Sequence, residues 1–179
     1  LIVDHDKQGF SDPRTGFKRT HILWQDRFQA LGGTFRVDAE HAAVDQDPAS
    51  PFPRVGKALT TLVPLDANHN PGGAHLEDRR NAFTVGYDRA SRADLLWSST
   101  LSLSNSSQDV LRGFLTDVST TSPNAHGFRE KVDLTDLYVD SHLTWTPAKA
   151  LKVVGGFDHL RGQGTGHGGG PAATAAGAA

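Results

Sequence analysis

Residues 93–106 read ADLLWSSTLSLSNS, and the fold turns on how that stretch alternates. Leu95, Trp97, Ser99, Leu101 and Leu103 fall on one side of an extended chain. Leu96, Ser98, Thr100, Ser102 and Ser104 fall on the other. Successive side chains of a strand point to opposite faces, so this is a strand with one largely apolar and one largely polar side. The same period recurs outward along the chain. Phe35, Val37 and Ala39 alternate with Arg36, Asp38 and Glu40; Phe83, Val85 and Tyr87 with Thr84, Gly86 and Asp88; Leu137, Val139, Ser141, Leu143 and Trp145 with Tyr138, Asp140, His142 and Thr144. No segment sustains the 3.6-residue repeat of an amphipathic helix. The sequence therefore predicts an all-β chain.

Six strands follow, at about 18–29, 34–45, 80–88, 93–106, 132–146 and 150–161, with Leu1 to Asp4 as the end of an earlier one. The first is interrupted by Asp26, on the face that carries Ile22, Trp24 and Phe28. Short connections join the strands in pairs: Leu31-Gly32-Gly33, Arg89-Ala90-Ser91-Arg92 and Pro147-Ala148-Lys149. Long ones separate the pairs, at 46–79, 107–131 and from 162 onward. In an antiparallel up-and-down meander this puts all short turns at one edge and all long loops at the other. A transmembrane β-barrel is built that way, and its strands need ~9–11 residues to cross the hydrocarbon layer. Trp97 and Trp145 lie near short turns, where an interfacial aromatic girdle would sit. A soluble β-sandwich or barrel, with the tryptophans in its core, is the competing architecture.

Composition narrows the function. The chain has 179 residues with 18 Lys+Arg against 20 Asp+Glu, a formal charge of -2, which argues against a nucleic-acid binder. No run is long and apolar enough for a membrane-spanning helix. Without cysteine there are no disulfides, thiolate metal sites or thiol nucleophiles. The chain starts Leu1-Ile2-Val3, contains no methionine and lacks a secretion signal, so it is expected to be an internal piece of a longer protein. The residues divide into a barrel-like region, 1–161, and a Gly/Ala-rich stretch, 162–179, expected to be a flexible loop or tail.

The segment LTDLYVDSHLTWTPAKALKVVGGFDHLR, 134–161, resembles barrel hairpins of TonB-dependent outer-membrane receptors: a strand ends in Trp-Thr-Pro, turns, and returns as an apolar strand ending Gly-Gly-Phe-Asp. The stretch SPFPRVGKALTTLVPLDANHNPGGAHLEDRRNAFTVGYDRAS, 50–91, is similar to a receptor's extracellular loop and the strand descending from it. The likeness spans about 20–161. It implies a barrel of roughly 22 strands around an N-terminal plug, in the outer membrane of a Gram-negative bacterium. Such receptors take up scarce nutrients, ferric siderophores among them, with energy from the TonB complex. The implied partners are outer-membrane lipid and lipopolysaccharide, the TonB complex through a plug region, and a small-molecule ligand. This chain shows neither plug nor TonB box, and its six strands fall short of a closed receptor barrel. The alternative function is a soluble β-rich binding module of carbohydrate-binding type.

No residue is assigned a catalytic, cofactor, metal or ligand role, and no enzyme activity or cofactor is expected. Nine histidines invite a metal reading, with His5, His69, His75, His126 and His167 in expected loops and His21, His41, His142 and His159 on or near strands, but no paired metal spacing appears. Asp66, Asn68, Asn70 and Glu77 match positions 1, 3, 5 and 12 of a calcium loop, yet Pro71 stands where glycine is required. Asn-Pro-Gly-Gly is turn chemistry. Asp136, Asp140, His142 and Asp158 gather on one polar side without a nucleophile signature, which reads as a solvated wall. Phe52, Arg54, Lys57, Arg79 and Arg80 lie in or beside the longest loop, where arginine can engage an anionic siderophore, a lipopolysaccharide phosphate or water.

Overall fold

A computed structural model describes residues 1–10, 14–50, 54–55, 57–64, 67–115 and 125–169. Among these, the chain is all-β. Its strands are β1 (Ile2–Gly9), β2 (Gly16–Ala30), β3 (Gly33–Asp47), β4 (Arg54–Val55), β5 (Ala58–Leu59), β6 (His75–Arg92), β7 (Leu95–Leu115), β8 (Ala125–Ala148) and β9 (Leu151–Gly169). Seven form one antiparallel meander in the order β1-β2-β3-β6-β7-β8-β9, open at both edges; β4 and β5 pair separately. The short turns and the long connections fall at opposite ends of the sheet, as the sequence predicts.

Every strand placed from the sequence exists, and most are longer. β6 starts at His75 instead of 80, β7 runs to Leu115 instead of 106, and β8 starts at Ala125 instead of 132. Beyond the apolar segments polar residues fall on both faces and the apolar ones that remain, such as Leu76, Val110, Leu111 and Phe114, do not alternate, while the ladder hydrogen bonds continue. Ile2 to Asp4 opens a full strand, with Leu1 just before it, and its far half, Asp4 to Gln8, is polar on both faces. The stretch from 162 is also corrected. Gly162–Gly169 continues β9, because the ladder with Arg129–Asp136 supplies backbone partners that glycine's weak strand preference does not. Residues 170–179 lie outside the described residues.

The turns shift as well. β2 and β3 close through Leu31 and Gly32, both at positive φ (54° and 74°), the pairing that a primed hairpin turn requires. The β6–β7 turn is Ala93-Asp94 rather than 89–92, after a bulge between Ala90 and Arg92. The β8–β9 turn is Lys149-Ala150. Pro147 falls inside β8 at a register shift between Trp145 and Ala148, where a residue without an N–H leaves the ladder undisturbed.

The turns descend stepwise across the sheet. Phe35, Tyr87, Ser99 and Ser141 share one cross-strand row. β3 begins at Gly33, two residues from Phe35; β6 ends at Arg92, five from Tyr87; β8 ends at Ala148, seven from Ser141. The turn edge thus slips by about one residue per strand. With ~3.3 Å per residue and ~4.8 Å between strands, turns lying in one plane require a strand tilt of about 35–40°, within the ~35–45° typical of membrane barrels.

Candidate functional site

Register sorts the side chains into two unlike faces. One carries Phe28, Trp24 and Ile22 from β2, Phe35, Val37 and Ala39 from β3, and Tyr87, Val85 and Phe83 from β6. β7 adds Leu95, Trp97, Leu101 and Leu103, β8 adds Trp145, Leu143, Val139 and Leu137, and β9 adds Val153 and Phe157. All three tryptophans of the chain lie on this face. Its side chains are half exposed in the open sheet, with Leu143 at 48% and Phe157 at 64%. Among the described residues no second layer of structure covers it.

The apolar segment forms a band whose far limit is not a single cross-strand row. It reaches Ile22 on β2, two residues closer to the turns at Phe83, Leu103 and Leu137, and four residues closer again at Phe157 on β9. The band therefore slips toward the turns at the same pace and in the same direction as the turns themselves. His159 and Arg161, which share rows with Val139 and Leu137, sit beyond the band for this reason. On β8 it runs from Leu137 to Trp145, about 27 Å along the strand, which is about 21 Å across at that tilt. The apolar belt of an outer-membrane barrel is ~25 Å tall.

Near the turn edge Phe28 stacks on Phe35 at 5.3 Å, Phe35 meets Tyr87 at 4.6 Å, and Tyr87 meets Trp97 edge-on at 5.5 Å. Two of the polar tips reach the turns: the Tyr87 hydroxyl donates to the Leu31 carbonyl (2.9 Å), and Trp145 Nε1 donates to Asp94 (2.9 Å). An apolar body with a wet tip is the chemistry of an interfacial girdle. Inside the band, Ser99 and Ser141 bond each other (2.7 Å), and Ser141 also accepts from Trp97 Nε1 (3.0 Å). Asp26 remains within the band, opposite Val37, so a misplaced register does not explain it. It accepts a bond from the Arg27 amide (2.8 Å).

The opposite face is a mostly polar wall, with Leu23, Leu96, Leu134, Val154 and Leu160 interspersed. Ser98, Thr100, Ser102, Ser104 and Ser106 run in line down β7. Around them lie the pairs Arg36–Asp88 (3.1 Å), Gln25–Asp38 (2.7 Å), His21–Glu40 (3.1 Å) and Thr84–Ser102 (2.8 Å). The four residues considered for acid–base chemistry share this wall without converging. His142 bonds Asp140 (2.9 Å), Asp158 stands opposite Asp140, and Asp136 takes a long bond from Ser104 (3.5 Å). No group of three metal-ligating side chains forms among the described residues.

The connection between β3 and β6 is organised by Asn70, a residue that the sequence offers as a calcium-loop position and as part of a turn, not as a packing hub. Its side chain is buried; Nδ2 donates to the Pro48 carbonyl (2.7 Å) and to Asn68 Oδ1 (2.9 Å), while Oδ1 accepts the Gly113 amide (2.7 Å). Arg14 donates to the Asn68 carbonyl (2.6 Å) and ties in the β1–β2 connection. The asparagine oxygens that resembled calcium ligands are thus engaged by the protein, and Glu77 pairs with Arg79 (3.0 Å). Asp66 lies outside the described residues. So do Phe52 and the side chains of Arg54 and His126. Pro71 to Ala74 does form the expected turn, closed by the Ala74 amide on the Pro71 carbonyl (3.1 Å) with Gly73 at φ 76°.

His69 sits against this hub with its amide on Ser50 Oγ (3.0 Å) and its Nε2 buried without a hydrogen-bond partner. Burial and the neighbouring Arg14 charge hold its pKa below the ordinary histidine value. The seated connection therefore favours neutral His69. Its stabilisation is complete above pH ~6.5 and is lost as pH falls from there through the lowered folded value. Protection of the Gly113 amide from hydrogen exchange, corrected for intrinsic rates, should fall with acidification in that window. His69→Phe should flatten the dependence; an unchanged profile in that variant would assign the effect to other groups.

Comparison with known proteins finds no family model, curated protein or solved structure that matches this chain.

Proposed function

We propose that the chain is part of the wall of an outer-membrane β-barrel, of the TonB-dependent receptor type that its hairpins resemble. The carrying observation is the shared slip of turns and apolar band. A tilted wall crossing a flat hydrocarbon layer needs both to move together. A sandwich core, covered by a second sheet, has no reason to track the turns. In this reading the band meets lipid and the Ser/Thr wall lines a wet interior. The long connections face outward, where they meet lipopolysaccharide and capture a small ligand for uptake driven through a plug and the TonB complex. The open edges of β1 and β9 then pair with further strands of the same barrel, since unpaired backbone is not tolerated in lipid.

The three tryptophans supply a built-in test. Trp24, Trp97 and Trp145 should be strongly quenched by lipids brominated in their acyl chains and only weakly by aqueous iodide. The reverse pattern, with no bromine quenching, would remove the band from lipid and favour a soluble binding module.

A further inference from the structure

A cavity of about 480 Å³ opens between the loop-side ends of the strands, beyond the apolar band, lined among others by Lys7, Lys18, Asp45, Asp47, His75 and Glu77. Register places Lys7, Lys18, Asp45 and Glu77 in one row across β1, β2, β3 and β6. Two lysines are thus held directly opposite each other, and so are two carboxylates. Like charges in that relation are destabilising. Lys18 and Asp45 are also directly opposite, yet no ion pair joins them, and none engages Lys7 or Asp47 among the described residues. Glu77 is taken by Arg79 and His75 leans on Asp109 (3.3 Å). What remains is a cationic patch of Lys7 and Lys18 beside an anionic patch of Asp45 and Asp47 on the same face of the sheet, both lining the cavity.

We propose that this cavity binds a phosphate group accompanied by a cation. The phosphate oxygens accept from the Lys7 and Lys18 ammonium groups, and the companion cation lies toward Asp45 and Asp47. A lone phosphate would be repelled by the carboxylates and a lone cation by the lysines, so the two adjacent patches select the pair. The cation is either an ammonium attached to the phosphate, as in a lipid headgroup, or a divalent ion bound to it. Lys18 lies four residues past Ile22 on β2, about 10 Å beyond the band at the derived tilt. The barrel reading places lipid headgroups near that height, and only the lipid source of the phosphate rests on that reading.

The test is a titration of the full chain in a non-ionic detergent, read by NMR at the lysine side chains. The probes are glycerophosphoethanolamine, inorganic phosphate with magnesium, and inorganic phosphate alone. Saturable shifts at Lys7 and Lys18 are expected with the first two, and at least tenfold weaker binding with the third. Preference for the first over the second would assign a lipid headgroup, and the opposite order a free metal-bound phosphate. Lys7→Gln with Lys18→Gln should weaken binding tenfold or more while leaving the fold intact, because it relieves the repulsion. Asp45→Asn with Asp47→Asn should erase the advantage of the cation-bearing probes. Equal binding of all three probes, or binding that survives both double substitutions, would overturn the proposal. Tryptophan quenching by brominated lipid is independent of these residues, so failure here and failure of the barrel reading are distinguishable.

Discussion

Leu101→Arg is expected to cost about 2–4 kcal/mol of stability in a bilayer, whereas Leu101→Trp is expected to cost almost nothing. Leu101 lies in mid-band, in one row with Val85 and Val139. An arginine there must bring its guanidinium into hydrocarbon, and that price is highest at the midplane of a barrel. Arginine alone does not separate lipid from a protein core, since both reject the charge. Tryptophan does. Lipid chains rearrange around a larger apolar side chain, while a close-packed core pays ~1–3 kcal/mol for overfilling. The adjacent Ser102 provides the control: it sits on the polar wall between Thr84 and Tyr138, and Ser102→Arg forfeits little beyond the Thr84 hydroxyl contact, about 1 kcal/mol. Urea titration of the three variants in liposomes reads all three costs. A tryptophan penalty comparable to that of arginine would mean that Leu101 packs against protein, and the barrel proposal would fall with it.

What the sequence reveals is the part of each strand that has two unlike faces. Residues 95–103 announce themselves because alternate positions must satisfy different surroundings. Residues 76–81 and 104–110 do not, because Asp78, Arg80 and Gln108 on one face differ little from Glu77, Arg79 and Asp109 on the other. The strand persists there on ladder hydrogen bonds and polar cross-strand pairs such as Asn105–Thr135 and Arg129–Asp109, and a hydrophobicity pattern carries no record of those. Gly162–Gly169 is an extreme case, with glycine at every alternate position and a ladder supplied wholly by its neighbour. The slip of the band belongs to a different level of information. It emerges only once register fixes which residue of β9 stands beside which residue of β8. That is why His159 and Arg161, ambiguous along the chain, become intelligible across the sheet. Asn70 was hidden for a related reason: its role depends on Gly113, forty-three positions away, and nothing local marks it.

Gly33→Val is expected to be the most damaging single substitution at the turn edge, costing about 3 kcal/mol or more and impairing closure of the β2–β3 hairpin onto β6. A side chain at this position would place its Cβ 2.5 Å from the Asp88 carbonyl oxygen and 2.6 Å from the Tyr87 ring. The ring lies over the bare glycine backbone, and from there its hydroxyl reaches Leu31 across the turn. The absence of a side chain at Gly33 therefore seats one member of the Phe28–Phe35–Tyr87–Trp97 aromatic row. Moving the ring aside would not be enough. The Asp88 oxygen belongs to the backbone of β6 and can retreat only if the β3–β6 ladder beside it opens. Overpacking usually costs ~1–3 kcal/mol, and a contact with fixed backbone belongs at or beyond the upper end. Two comparisons isolate the cause. Tyr87→Phe keeps the ring over Gly33 and removes only the bond to Leu31, a loss of about 1 kcal/mol. Tyr87→Ala combined with Gly33→Val should recover part of the loss, because the ring clash disappears, but not all of it, because the carbonyl clash remains. Full recovery in the double variant would make the ring the whole obstacle. No loss in Gly33→Val would mean that β3 and β6 do not approach each other in this register, and the turn-edge rows that define the slip of the band would have to be redrawn.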